Sequence, residues 1–153
     1  MNLGYRDDGR RDAPALVLSP SLGTTVTLWE PQLPAFVERF RVIRHDHPGH
    51  GGSPVPEGRV TVEAIAGGVL AMLDDLGIER TSFCGVSLGG MVGMWLGAYA
   101  PERIDRLALC CTGAKVGSHD DYHARAELVR RDGTRVMVDG ARERWFTPAF
   151  RVE

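Results

Sequence analysis

Ser87 has the setting in this chain that best suits covalent chemistry. It stands in Phe83-Cys84-Gly85-Val86-Ser87-Leu88-Gly89-Gly90-Met91, a G-x-S-x-G pattern. An apolar run from Thr81 to Cys84 precedes it, and a helix-like run from Leu88 to Ala100 follows. A serine at so sharp a strand-to-helix reversal is held in strained backbone geometry with its Oγ exposed, as in a nucleophile elbow. Gly85 and Gly89 fit that reading, since a Cβ at either would collide with the neighbouring strand or helix. Such a hydroxyl would attack a carbonyl carbon, and the backbone N–H of Leu88 is placed to meet the oxyanion that forms. In a chain with 19 glycines the pattern alone is weak evidence. Its competitor is a Gly-Ser turn without chemistry, and the flanking strand and helix favour the nucleophile.

Two groups of histidines compete for attention. His45, His47 and His50 spell H-x-H-x-x-H, which is similar to the zinc motif of metallo-β-lactamases. That motif needs an aspartate just before its last histidine, where this chain has Gly49, so no metal or other cofactor is expected. The same residues fit D-x-x-G-H-G-x-S, in which Asp46 and His50 tie down a glycine turn. His119, Asp120, Asp121 and His123 form a second group, which could supply a local base or be exposed surface.

The elements that must position Ser87 alternate. Leu3–Arg6 reads as an edge strand closed by the turn Asp7-Asp8-Gly9, and Ala15–Leu18 as a strand buried on both faces. A turn-rich stretch, Ser19-Pro20-Ser21-Leu22-Gly23-Thr24, leads to Trp29, Leu33, Phe36, Val37 and Phe40 at helical spacing, with Pro31 and Pro34 near the helix start. Arg41–Asp46 is the next strand. Thr61 is the expected N-cap of a helix carrying Val62, Ile65, Val69, Leu73 and Leu76, with Gly77 as its stop. Arg106–Thr112 is a further strand. Strands alternating with helices predict an α/β architecture with a mostly parallel sheet. From Gly113 onward the pattern turns polar and helical, in Tyr122–Arg131 and Thr134–Trp145.

At 153 residues and net charge −2 the chain has no basic excess for nucleic acid or an anionic membrane. Its polar N-terminus is neither a signal peptide nor an anchor. Cys84, Cys110 and Cys111 lie in apolar runs without metal spacing and read as buried, reduced thiols of a cytoplasmic protein.

With these residues in view, the chain resembles the α/β-hydrolase family, and within it the 3-oxoadipate enol-lactonases. The likeness rests on L-S-P-S-L-G-T-T, D-H-P-G-H-G-G-S, F-C-G-V-S-L-G-G-M, A-P-E-R-I-D-R-L-A-L, T-G-A-K-V-G and R-W-F-T-P-A-F. It implies the N-terminal part of an α/β-hydrolase core over residues 1–113 and the beginning of a helical cap over 114–153. It also implies Ser87 as nucleophile, with the backbone N–H groups of Leu22 and Leu88 as the oxyanion hole. The implied substrate is a small lactone bearing a carboxylate, whose ring opening expels an enolate. An arginine of the cap would hold that carboxylate, with Arg130 or Arg131 favoured and Trp145 as core or pocket wall.

The family places its acid and base beyond the cap, in the order Ser, Asp or Glu, then His. No residue here matches either, so the resemblance implies a chain inactive by itself, or a partner for a missing piece. An apolar sheet edge at residues 106–112 would then invite self-association.

Overall fold

The computed structural model describes residues Met1–Val152. Five strands form one sheet: β1 (Tyr5–Asp8), β2 (Ala15–Ser19), β3 (Arg41–His45), β4 (Thr81–Val86) and β5 (Ile104–Cys110), in the order β1-β3-β2-β4-β5. β1 pairs antiparallel with β3, and every other pairing is parallel. β2 is central, which is why Leu16, Val17, Leu18 and Ser19 are all buried.

The two faces arise from the pleat. Val17, Ile43 and Phe83 pack with α2 (Val62–Asp75) and α3 (Leu88–Tyr99), around Ile65, Val69, Leu73, Val92 and Leu96. Leu16, Leu18 and Val42 point the other way and pack with Trp29, Leu33, Phe36 and Phe40. Thr61 caps α2 by accepting the Ala64 N–H at 3.1 Å, and Gly77 ends it at φ 65°.

Several segments depart from the sequence expectation. The edge strand is Tyr5–Asp8 and not Leu3–Arg6, because Asp7 and Asp8 are drawn into it by arginines of β3. Arg41 grips Asp7 through Nε and Nη2 at 3.0 and 2.8 Å, and Arg44 Nε reaches Asp8 at 2.9 Å. The Trp29–Phe40 stripe is no single helix. A 3-10 turn (Val26–Trp29) precedes α1 (Leu33–Val37), with Pro34 in the first turn of α1, where a missing N–H costs nothing. The cysteines are free thiols but are not buried: Cys84 on β4 and Cys110 on the edge strand β5 are half-buried, and Cys111, just past β5, is exposed.

The chain divides into two compact units, Met1–Ala114 and the residues from Lys115 onward. The second unit holds α4 (His119–Asp132), capped by Ser118 accepting from the Asp121 N–H at 3.1 Å. It also holds α5 (Val138–Trp145), which a 3-10 turn (Thr134–Met137) precedes. None of the described helices is long and apolar enough to cross a membrane.

Candidate active site

Ser87 lies between β4 and α3 at φ 54°, ψ −111°. Only one other non-glycine residue among those described, Cys111, has positive φ. That backbone is held on both sides by the chain leaving β5: the Ser87 N–H donates to the Cys110 carbonyl at 2.9 Å, and Thr112 Oγ1 donates to the Ser87 carbonyl at 2.8 Å. A strained conformation persists when its surroundings over-determine it, and these two bonds do so.

The glycines of the turn are required by contact. A Cβ on Gly85 would sit 2.6 Å from the Gly90 nitrogen, and one on Gly89 would sit 2.6 and 2.7 Å from the Ser19 carbonyl carbon and Oγ. β4 and α3 therefore approach backbone to backbone, and the first turn of α3 presses on the end of β2.

The loop after β2 is fastened to that turn. The Gly89 N–H donates to the Pro20 carbonyl at 3.1 Å, which brings the 20–24 loop beside the residues after Ser87. Thr24 donates to the Ser21 carbonyl through its N–H (3.2 Å) and its hydroxyl (2.7 Å). Among the described residues the N–H groups of Leu22 and Leu88 donate to no protein acceptor. The Leu88 N–H, next in the chain to the strained serine, is unengaged, and the Leu22 N–H lies in the loop that the Gly89–Pro20 bond fastens to the same turn; unengaged backbone N–H groups can stabilise a developing oxyanion.

The loop following β3 holds this assembly from behind. Asp46 is buried and accepts from the Val26 N–H at 2.7 Å and the Gly52 N–H at 2.9 Å, so one carboxylate joins two loops. Gly51, at φ 48°, leaves room for that carboxylate, since a Cβ there would stand 2.8 Å from Oδ1. His45 Nε2 pairs with Ser19 Oγ at 2.9 Å, and His47 Nε2 with the Pro20 carbonyl at 2.8 Å. His50 Nε2 accepts from the Gly23 N–H at 3.0 Å. Burial is the main reason that His45 and His47 hold no charge: it depresses the first to about 3 and the second to about 4.

No group of three or more His, Cys, Asp or Glu side chains is arranged to hold a metal among the described residues. Each of the three histidine rings has a backbone or hydroxyl partner, and His47 Nδ1 alone among their nitrogens has none.

The other sequence candidates lie in the second unit. Arg130 pairs with Glu127, and Arg131 with Asp132 at 2.7 Å, all on exposed α4 surface. Trp145 is half exposed at the end of α5. His119 and His123, also on α4, meet with rings tilted at 44° and centres 4.3 Å apart. The structure thus joins Ser87, Leu88 and the Leu22 loop within one unit and leaves the arginines in the other. Thr112 and Ser19 were not singled out as site residues from the sequence, and His47 was read there only within a metal-like spacing or a glycine turn. Two open cavities, of about 550 and 410 Å³, lie at the opposite end of the strands, around Ile78 and Arg80.

Comparison with known proteins fits this geometry. Residues 14–135 match the family model described as the alpha/beta hydrolase fold. The chain is 40% identical to 3-oxoadipate enol-lactonase 2 and 38% identical to 3-oxoadipate enol-lactonase 1, both of Acinetobacter baylyi. Each match covers 97% of this chain and 55% of the relative. The crystal structure of the enol-lactonase from Burkholderia xenovorans LB400 superposes with a TM-score of 0.94 at 45% identity, covering 97% of this chain and 58% of that one. The chain spans about half the length of the relatives it matches. With a family model over most of its length and the sheet order and serine turn described above, this chain belongs to the α/β-hydrolase family.

Proposed function

We propose that this chain carries the nucleophile and oxyanion hole of a serine hydrolase of the enol-lactonase type, acting on a small lactone that bears a carboxylate. The observation that carries the reading is Ser87 itself, strained at the head of α3 with the Leu88 N–H unengaged beside it. Similarity to three enol-lactonases supports the substrate class. In the proposed reaction Ser87 Oγ gives up its proton to solvent or to a base supplied in trans as it adds to the lactone carbonyl, and the N–H groups of Leu22 and Leu88 take the negative charge. The intermediate collapses by expelling the ring oxygen as an enolate, which is protonated at carbon to the ketone, and water then hydrolyses the acyl-enzyme. Arg130 or Arg131 would hold the carboxylate, with Trp145 as an apolar wall. The ion pairs those arginines now make are exposed and screened by solvent, so a substrate could displace them.

No residue of the chain is assigned as the base, so the 153-residue chain assayed alone is expected to hydrolyse enol-lactone at no more than a faint rate. Adding the C-terminal half of the Burkholderia enol-lactonase as a separate chain should raise turnover, and Ser87→Ala should abolish the gain. Strong turnover by the chain alone, lost in Ser87→Ala, would refute this and make His119 or His123 the base. Assay with an uncharged ester separates the alternative reading of a general esterase. Arg130→Gln or Arg131→Gln should lower kcat/KM for the carboxylated lactone and spare the ester.

Leu107 and Leu109, exposed on the edge strand β5, support a second proposal of self-association through that edge. Sedimentation of the chain with and without Leu109→Lys tests it: a dimer that Leu109→Lys dissociates supports the proposal, and a monomer in both cases refutes it.

A further inference from the structure

We propose that His47 is a positioning residue for the second oxyanion donor: with Gly89 it anchors the Pro20–Ser21 peptide, from which the Thr24-held turn presents the Leu22 N–H. The proposal rests on the reading of Ser87 as nucleophile and of Leu22 as a donor of the hole.

His47 is 1% exposed, and its Nε2 lies 2.8 Å from the Pro20 carbonyl oxygen. A carbonyl can only accept, so Nε2 carries the proton and, in the neutral ring, Nδ1 is bare. That Nδ1 is buried without a partner. A histidine whose second nitrogen is left unsatisfied is costly for a core position, where an apolar side chain would fill the space without that penalty. What the ring contributes in return is its one N–H.

The bond falls where the loop has few other handles. Pro20 has no N–H, so the carbonyl is the residue's sole backbone polar group. It accepts from both His47 and the Gly89 N–H, the latter at 3.1 Å, and two donors at one oxygen fix the plane of the Pro20–Ser21 peptide. The next peptide is fixed in turn, because the Ser21 carbonyl accepts from the N–H and hydroxyl of Thr24. In a trans peptide the N–H points opposite to the C=O, so holding the Ser21 carbonyl aims the Leu22 N–H. Gly89 belongs to the turn that carries Ser87, so His47 and Gly89 together lock the donor loop to the nucleophile's own helix. Because burial keeps the ring neutral, this donor does not change with ordinary changes of pH.

The test uses the whole 153-residue chain, labelled with nitrogen-15, and phenylboronic acid as the probe. Ser87 Oγ adds to the trigonal boron, its proton passes to buffer, and the resulting tetrahedral boronate places an oxygen in the hole. Wild type is compared with Ser87→Ala, His47→Leu and His47→Gln, the last retaining an N–H that can reach Pro20. The expected result is a ring proton on His47 Nε2 in wild type. His47→Leu should weaken the probe at least tenfold and shift the Leu22 amide resonance, while His47→Gln stays within about threefold of wild type. Probe affinity in His47→Leu within threefold of wild type would overturn the inference while leaving the Ser87 reading intact. Equal binding by wild type and Ser87→Ala would refute the Ser87 reading instead. The Leu22 resonance then decides for His47, and no shift in His47→Leu overturns it. Should His47→Leu not fold, the wild-type ring decides alone: a proton on Nε2 supports the assignment, and one on Nδ1 overturns it.

Discussion

Mild acid should destabilise this protein through its buried histidines. His45 is fully buried and His47 nearly so, and burial lowers their protonation to about 3 and about 4, against 6.5 for a free ring. In the unfolded chain both rings take up a proton near pH 6.5, whereas in the native protein neither does. The unfolded state therefore binds more protons, and stability is full above pH 6.5 and is lost as pH falls towards the native values. Between about pH 7.5 and about pH 5.5 each ring contributes roughly 1.3 kcal/mol of loss, or about 2.5 kcal/mol together. Asp7, whose pairing with Arg41 holds its carboxyl below the usual range, gives up its own contribution only at lower pH, outside this window. With a urea slope of about 2 kcal/mol/M, the unfolding midpoint should fall by roughly 1 M across the window. Urea titrations of wild type, His45→Gln and His47→Asn measure it, and the quantity read is the pH slope and not the absolute stability. Each substitution should remove about half of the slope. A wild-type midpoint that does not move, or a slope that survives both substitutions, would show that these rings are not held neutral by burial.

Gly89→Ala should destabilise the chain by about 2 kcal/mol or more in urea, because the new methyl meets the Ser19 carbonyl carbon 2.6 Å away, and backbone at both sides must give. A cost below about 0.5 kcal/mol would mean that α3 is free to slide on β2. Asp46→Asn replaces one of two acceptor oxygens by a donor facing an N–H and should cost about 2–3 kcal/mol, with the exchange of the Val26 or Gly52 amide hydrogen faster. Thr112→Val removes the hydroxyl that holds the Ser87 carbonyl. It should lower the melting temperature by about 2–4 °C, the equivalent of about 1 kcal/mol for a chain of this size, and an unchanged melt would show that the bond contributes nothing.

The sheet and its serine turn were legible because each has a local signal. The apolar run at β2, the N-cap and stop of α2, and the paired glycines around Ser87 each declare themselves within a few residues. What was not legible depends on which elements become neighbours. The alternation of His45 and His47 suggested a turn or a metal motif. Only the placement of β3 beside β2 turns those rings onto Ser19 and Pro20. The same cause misleads at β5: Leu107, Leu109 and Cys110 look like core residues, yet a strand at the edge leaves them partly open. The Trp29–Phe40 stripe packs on the sheet, but a 3-10 turn and the short α1 carry it in place of the single helix its spacing suggested. Asp7 and Asp8 read as turn residues until Arg41 and Arg44, more than thirty positions away, drew them into a strand.

The uneven exposure of the three thiols makes the protein a convenient subject for site-directed chemistry. Burial and the neighbouring Cys110 raise the Cys84 thiol to about 11, so at pH 8 only ~0.1% of it is the thiolate that alkylating reagents require. Cys111 is exposed, at the bend where the chain leaves β5 and one residue before the threonine that grips the Ser87 carbonyl. With Cys110→Ser, a maleimide dye or spin label can be directed to position 111 without inserting a new cysteine. Such a label would report from beside the serine turn whenever a ligand or a second polypeptide arrives there.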